Sequence, residues 1–139
     1  MRHLPPLLLS RPFGHQLIVA ILVPMVFGIV TGIALGVHAV LYWLLAGPLA
    51  IGGGFLGGME HRGADEGFVR GAMGGLIFGS FILLGFEMMN TEPKTYLGDP
   101  QVGLVFATTF FGCILGAFGG AYRARREREL GRDVDAATV

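Results

Sequence analysis

The feature that most constrains this chain is an uncharged run of 44 residues, from Gln16 to Met59. As one helix at 1.5 Å per residue it would be about 66 Å long, twice the roughly 30 Å hydrocarbon core of a bilayer. The run must therefore turn back on itself. We place the turn at Gly36-Val37-His38, because glycine can end a helix in the left-handed conformation and His38 is the most polar side chain mid-run. Two membrane-spanning helices, 17–36 and 39–58, are predicted.

Two further spans are predicted, at 68–89 and 102–122. The uncharged part of the third, Gly71 to Phe86, has 16 residues or about 24 Å. It crosses a bilayer only if Arg70 and Glu87 snorkel or if the helix continues into Met88 and Met89. The fourth is preceded by Asp99-Pro100, an N-cap residue followed by proline at the first helical position.

Composition supports a membrane protein. The chain is 53% hydrophobic and 14% charged, which excludes an ordinary soluble globule. Ten basic side chains balance ten acidic ones, so no basic field exists to attract nucleic acid, and one cysteine excludes a disulfide framework. The predicted fold class is all-α, an integral membrane four-helix bundle with tightly packed, GxxxG-rich helices. We expect no cofactor and no metal, and lipid bilayer as the main surrounding partner.

The positive residues predict the orientation. Four spans place both termini and the loop from Met59 to Arg70 on one side, and positive residues favour the cytoplasm when loops are short. The other side holds only Lys94. We therefore expect a multi-pass protein of the cell (inner or cytoplasmic) membrane with both termini cytoplasmic. The nine arginines on the predicted cytoplasmic side are Arg2, Arg11, Arg62, Arg70, Arg123, Arg125, Arg126, Arg128 and Arg132.

Two flanking segments lie outside the predicted 17–122 membrane domain. Residues 1–16 form a cytoplasmic or interfacial lead-in, since the Leu-rich patch contains two prolines and no small-residue cleavage site. Residues 123–139 form a basic extension, in which Arg123 and Glu127, and Arg125 and Glu129, have the i,i+4 spacing of helical ion pairs. We expect the fourth helix to continue through these pairs and the tail from Asp133 to be unstructured.

Glycines four residues apart recur in all four predicted helices. In a bilayer such grooves let helix backbones approach closely, and this contact replaces the hydrophobic effect as the basis of association. Either the glycines pack one compact bundle, or some of them face a neighbouring protomer. The residues assigned to helix packing are Gly28, Gly32, Gly36, Gly53, Gly54, Gly57, Gly58, Gly67, Gly71, Gly75, Gly79, Gly112, Gly116 and Gly120.

Polar side chains within the spans are few. Thr31, Ser80, Thr108 and Thr109 are expected to bond to their own helix backbone. Pro24 and Pro48 free the carbonyls of Ala20 and Leu44 and introduce kinks. No catalytic residues are predicted, because neither a nucleophile with a base nor a phosphate-binding loop is present. The residues assigned to the mouths of a possible pathway are His38, Glu60, His61 and Glu87.

One segment resembles a known type of sequence. The run GGGFLGGMEHRGADEGFVRGAMGGLIFG, from Gly52 to Gly79, resembles the glycine-punctuated helix pairs of uncharacterised small four-helix membrane proteins of prokaryotes, including haloarchaea. The resemblance covers about a fifth of the chain. It implies the four-helix architecture and no activity.

These features predict a structural or accessory membrane protein that acts through helix–helix association, as a homo-oligomer or as a subunit of a larger membrane complex. The alternative is a passive channel or facilitator for a small ion or solute. No charged side chain is predicted at the middle of a span, which argues against a proton-coupled pump.

Overall fold

The computed structural model describes residues 4–98 and 101–137, with side chains described as far as residue 131. It contains four long helices, and no strand occurs in this part of the chain. All four are long and apolar enough to cross a membrane, which is consistent with a multi-pass membrane protein. The helices are α1 (Phe13–Val37), α2 (Ala39–Met59), α3 (Ala64–Glu87) and α4 (Gly103–Ala137).

The chain reverses direction between α1 and α2 at the predicted place, but the backbone conformation of the turn differs from the predicted one. His38 alone separates α1 from α2, with φ −157° and ψ 130°, and its Nδ1 accepts the Val40 N–H at 3.1 Å. Positive φ values among the described residues occur only at Asn90 and Gly98. The expectation that Gly36 ends the helix in the left-handed conformation is therefore wrong. An extended residue whose side chain caps the next helix makes the turn instead.

Two helices begin earlier than predicted. α1 starts four residues before Leu17, at Phe13, directly after Pro12. α3 starts at Ala64 after the extended Gly63, and two acidic side chains in its first turn, Asp65 and Glu66, suit the positive end of the helix dipole. The third span therefore has 24 residues without needing the continuation into Met88 and Met89.

The fourth helix begins within one residue of the prediction and ends much later. It remains helical to Ala137, so the expectation of an unstructured tail from Asp133 is wrong for residues 133–137. Residues 133–137 contain neither glycine nor proline, so no helix-breaking residue ends α4 within this segment. The predicted cap at Asp99-Pro100 lies outside the described residues, as do Met1 to His3.

Helix contacts define an up-down-up-down arrangement. Positions near Gly28 and Gly32 of α1 meet Phe78 and Ile82 of α3 in the same order, so these two helices run parallel. α3 and α4 run antiparallel and share the most extensive contact in the bundle. The short connections from α1 to α2 and from α2 to α3 likewise make these consecutive helices antiparallel.

The large buried side chains occupy one half of the bundle, toward His38. We call this half the His38 end and the opposite half, where Glu60 and Arg123 lie, the Arg123 end. Leu35 and Ile82 are fully buried, and four further side chains complete one cluster with them. The other members of the cluster are Tyr42, Ala46, Phe78 and Phe86.

Glycine lines the contact between α3 and α4. A Cβ atom added to Gly71 would meet the carbonyl of Gly112 closer than real Cβ contacts allow, and one added to Gly67 would meet the carbonyl of Gly116. Gly75 lies in the same way against the carbonyl of Thr108. The two backbones therefore touch over three successive helical turns, and any larger residue at these positions requires the helices to separate.

Most of the other predicted packing glycines also lie against another segment, but one does not. No atom lies within 4 Å of a Cβ added to Gly53, so its assignment to helix packing is wrong for a single copy of the chain. Two close-packed glycines were not assigned: Gly85, against Ile29, and Gly119, against Phe55. The remaining assigned positions with a neighbour are Gly28, Gly32, Gly36, Gly54, Gly57, Gly58, Gly79, Gly112, Gly116 and Gly120.

Candidate functional site: a cleft with a buried arginine

A cavity of about 400 Å³ lies between α1, α2 and α3 in the half of the bundle toward the Arg123 end, and Thr108 and Gly112 of α4 also line it. We call it the cleft. Val23 and Phe27 form its α1 wall, and Leu56 stands on its α2 wall; all three are partly exposed, so the rim reaches the protein surface. Gly52 and Gly53 also line it, and neither has an atom within 4 Å of an added Cβ. These two glycines leave space instead of making close contact.

Proline shapes the α1 wall. Residues Ile18–Leu22 form a π-helical turn in which the Val23 N–H bonds to the carbonyl of Ile18, five residues back. In that register the next donor, for the carbonyl of Val19, would be the backbone nitrogen of Pro24, which carries no hydrogen. The predicted carbonyl was that of Ala20, from the regular α-helical register, which the π-helical turn shifts by one residue. The Val19 carbonyl therefore needs a donor from outside its own helix.

Arg70 of α3 supplies that donor. Its Nη2 donates to the Val19 carbonyl at 3.0 Å, although the two residues are 51 positions apart. The guanidinium fits because glycine stands on both sides: it lies 3.8 Å from an added Cβ on Gly57, and its Nη1 lies 3.0 Å from one on Gly74. Snorkelling of Arg70 was one of the two predicted ways for the third span to cross a bilayer. In the structure the side chain instead turns inward, against α1 and α2.

The cleft ends in a small charged group. Glu60, directly after α2, pairs with Arg11 at 2.7 Å, and both Glu60 and Arg70 line the cavity. Among the described residues, Arg70 has no carboxylate within 4 Å, and its Nε is buried without a hydrogen-bond partner. Two guanidiniums and one carboxylate give this group a net charge of +1. The cleft is thus an apolar space with a surplus cation at one end.

The lead-in is fixed to this end of the bundle. The Leu8 N–H donates to the Glu60 carbonyl at 3.0 Å, and the Leu8 side chain is buried. Arg123 of α4, 6% exposed, donates to the carbonyls of Pro5 at 2.6 Å and Met59 at 2.8 Å. The lead-in, the α2–α3 connection and the middle of α4 therefore meet at the same end of the bundle.

The four predicted mouth residues divide between the two ends. Glu60 and His61 are adjacent at the Arg123 end, where His61 Nδ1 lies 3.1 Å from the Gly57 carbonyl. His38 and Glu87 lie at the opposite end, and both are exposed. The buried cluster of Leu35 and its neighbours occupies the intervening half of the bundle.

The local polar contacts largely follow the sequence expectations. Thr31, Thr108 and Thr109 each donate to a carbonyl three or four residues back in their own helix, at 2.6 to 3.0 Å. The ion pairs from Arg123 to Glu127 and from Arg125 to Glu129 both form. Ser80 is exposed.

Sequence reasoning did not assign Arg11, Arg70 or Arg123 to a site. The signal for Arg70 was partly visible, since a proline inside a span leaves a carbonyl without a donor and a nearby cation can satisfy it. The signals for Arg11 and Arg123 lie in contacts with the lead-in, which carries no periodic pattern.

The fold and the cleft define an all-helical protein of membrane-spanning length with a partly buried arginine between its helices. Comparison with protein-family models, curated proteins and solved structures finds no match to this chain. The resemblance of the segment from Gly52 to Gly79 to small prokaryotic membrane proteins stays a prediction.

Proposed function

We propose that this chain is a structural or accessory multi-pass membrane protein that acts by helix–helix association, and that α2 carries the association surface. One observation carries the proposal. In the most apolar 18 residues of α2, 6% of positions are buried inside the protein, against 22% to 28% in the other three helices. A span that packs so little against its own bundle has most of its surface free for lipid or for another helix.

The outer face of α2 has the composition of a helix-packing surface. Val40, Leu44, Gly47 and Ile51 follow one another at intervals of three or four residues and therefore share one face. We call this set the α2 stripe. Its large members are 58% to 65% exposed, and no atom lies within 4 Å of a Cβ added to Gly47. Small residues between larger apolar ones allow close approach of helices in lipid.

The test is the mass of the particle purified in a mild detergent or a nanodisc. We expect a mass above that of one 14.8 kDa chain, from further copies or a co-purifying subunit. Gly47→Leu should reduce it to a single chain, because the new side chain occupies the approach site and meets nothing within its own bundle. A wild-type particle that contains one chain and no other subunit contradicts the proposal.

The matched control is Ala107→Leu, which adds similar bulk at an exposed position of α4. It should leave the particle mass unchanged. Equal loss of association in Gly47→Leu and Ala107→Leu would show that bulk anywhere on the surface is disruptive, and the assignment to α2 would then be wrong.

We further propose that the Arg123 end faces the cytoplasm, which places both termini there. The support is the nine-to-one division of basic residues, together with the contacts that bring the lead-in, the α2–α3 connection and Arg123 to one end. A membrane-impermeant thiol reagent should label a cysteine at Lys94 in intact cells, and should not label one at Arg62 or Arg128. Labelling of the last two from outside would reverse the orientation.

The alternative of a passive channel or facilitator has weaker support. The cleft occupies only the half toward the Arg123 end, and the large buried side chains fill the other half. A passage through one copy would have to cross that cluster. Flux of small ions or solutes into liposomes that changes in Glu60→Gln or Glu87→Gln would favour the channel over the proposal above.

A further inference from the structure

We propose that the cleft binds one anionic phospholipid, with its phosphate at Arg70 and an acyl chain between α1 and α2. This inference is independent of the association surface on α2. It assigns a ligand to the cleft, whereas the α2 stripe lies on a different face of the helix.

The charges at this end of the cleft favour an anion. Arg11 and Glu60 pair with each other at 2.7 Å, and Glu60 also attracts Arg70, but one carboxylate beside two guanidiniums leaves one positive charge uncompensated in the described part of the chain. The hydrogen bond of Arg70 goes to a neutral carbonyl, and its Nε is buried without a partner, as are Arg11 Nε and Glu60 Oε2. A guanidinium in apolar surroundings interacts strongly with an anion, and its planar donor group matches the oxygens of a phosphate. The missing partner is therefore an anionic oxygen group.

The shape and polarity of the cleft favour an amphiphile. From Arg70 toward the His38 end, the cleft is bounded by apolar side chains and glycine, with Phe27 on α1 and Phe78 on α3, and by Thr108, whose hydroxyl donates to its own helix. A free phosphate would occupy only the charged end and leave the apolar remainder of the cavity, whose whole volume is about 400 Å³, unfilled. An amphiphile with a phosphate head and a hydrocarbon chain fits both parts.

The depth of Arg70 and the opening of the cleft also suit a lipid. Arg70 lies six residues after the start of α3, which is about 9 Å along the helix axis, close to the level where lipid phosphates meet the hydrocarbon core. The rim residues Val23, Phe27 and Leu56 are 38% to 59% exposed, so the cleft opens sideways to the bilayer. Basic pockets between membrane helices are recognised sites for anionic head groups.

The test compares lipid retained by the purified protein. The protein is reconstituted into vesicles of phosphatidylglycerol and phosphatidylcholine, extracted with detergent, and analysed by native mass spectrometry. We expect one phosphatidylglycerol per chain to be retained at least about tenfold more often than phosphatidylcholine, the ratio that one charge-assisted contact gives. Equal retention of the two lipids, or of neither, overturns the proposal.

Two variants separate the head group from the chain. Arg70→Gln should abolish the preference for phosphatidylglycerol, whereas Arg125→Gln, which removes an 80% exposed guanidinium of equal charge, should keep it. Gly53→Leu leaves Arg70 in place and fills the apolar part of the cleft, where no atom lies within 4 Å of the added Cβ. Gly53→Leu should prevent retention of the lipid. It therefore tests the proposal independently if Arg70→Gln does not fold.

Two results of these variants count against the lipid. Retention of phosphatidylglycerol in Gly53→Leu shows that the lipid binds elsewhere. A change in particle mass in Gly53→Leu, with lipid content unaltered, assigns the cleft to a helix of another chain. The second result leaves the association proposal standing, so failure of one proposal is distinguishable from failure of the other.

Discussion

The α3–α4 contact and the cleft use glycine for opposite purposes. Along α3, Gly67, Gly71 and Gly75 lie against the α4 backbone, and no room remains for a methyl group. Along α2, Gly52 and Gly53 face a cavity. The first arrangement brings two helices into contact, whereas the second keeps a space open between two helices that are joined by one residue at the other end.

The difference follows from what else lies nearby. Between α3 and α4 nothing but backbone separates the helices, so close approach is the main source of stability in lipid. Between α1 and α2 a guanidinium occupies the junction, held by the carbonyl that Pro24 leaves without a donor. The glycines around Arg70 accommodate this charged group, and they continue as the wall of the cleft. A glycine pattern thus indicates that space is needed beside the helix, but it does not predict which group occupies that space.

The largest expected effect tests this comparison directly. Gly116→Ala places a methyl group against the Gly67 carbonyl and 2.9 Å from the Gly71 Cα, where only helix separation relieves the overlap. We expect a loss of about 3 kcal/mol or more in unfolding free energy, measured by denaturant titration in detergent micelles. Gly53→Ala is the matched control, and it should change stability by less than about 1 kcal/mol, in the favourable direction. Similar losses in both variants would remove the distinction between the two regions.

The second-largest expected effect is at the Arg123 end of the bundle, which the α3–α4 contact and the cleft share. Arg123→Gln removes the guanidinium that donates to the carbonyls of both Pro5 and Met59. We expect a loss of about 2 kcal/mol and faster hydrogen exchange in residues 5–11, measured by mass spectrometry. Arg125→Gln, at an 80% exposed side chain, should cost less than about 1 kcal/mol and leave that exchange unchanged. Slow exchange retained in Arg123→Gln would show that other contacts hold the lead-in.

Arg123 and Arg125 show which features the sequence can predict and which it cannot. Both stand four residues before a glutamate, and both form the predicted ion pair, yet Arg123 is buried and Arg125 is exposed. Spacing along a helix predicts the local pair, because it depends on the helix alone. It does not predict burial, which depends on where the lead-in crosses the bundle. For the same reason four helices of membrane-spanning length and the turn near His38 were predictable from the sequence. The different surroundings of Gly53 and Gly71 depend on contacts between helices and were not.

The third effect tests the origin of the cleft. In Arg70→Gln the Val19 carbonyl loses its donor, at a cost of about 1 to 3 kcal/mol. Pro24→Ala restores a backbone N–H to α1, so the carbonyl regains a partner within its own helix. The double variant should therefore be more stable than the sum of the single effects predicts, by about 1 kcal/mol in a double-mutant cycle. Pro48→Ala, on α2, should combine additively with Arg70→Gln. Additivity in both cycles would mean that Pro24 does not determine the position of Arg70.

The smallest effect separates a bond within one helix from a bond between helices. Thr31 is fully buried in α1, and its hydroxyl donates to the Phe27 carbonyl at 2.7 Å, one turn earlier in the same helix. That carbonyl also belongs to the normal helical ladder, so loss of the hydroxyl leaves no group without a partner. Thr31→Val, which keeps the shape, should cost about 0.5 kcal/mol in the same titration. It should also leave retention of phosphatidylglycerol unchanged, although Phe27 lines the cleft. A loss above about 2 kcal/mol, or a loss of the lipid, would show that the Thr31 hydroxyl supports the cleft wall as Arg70 does.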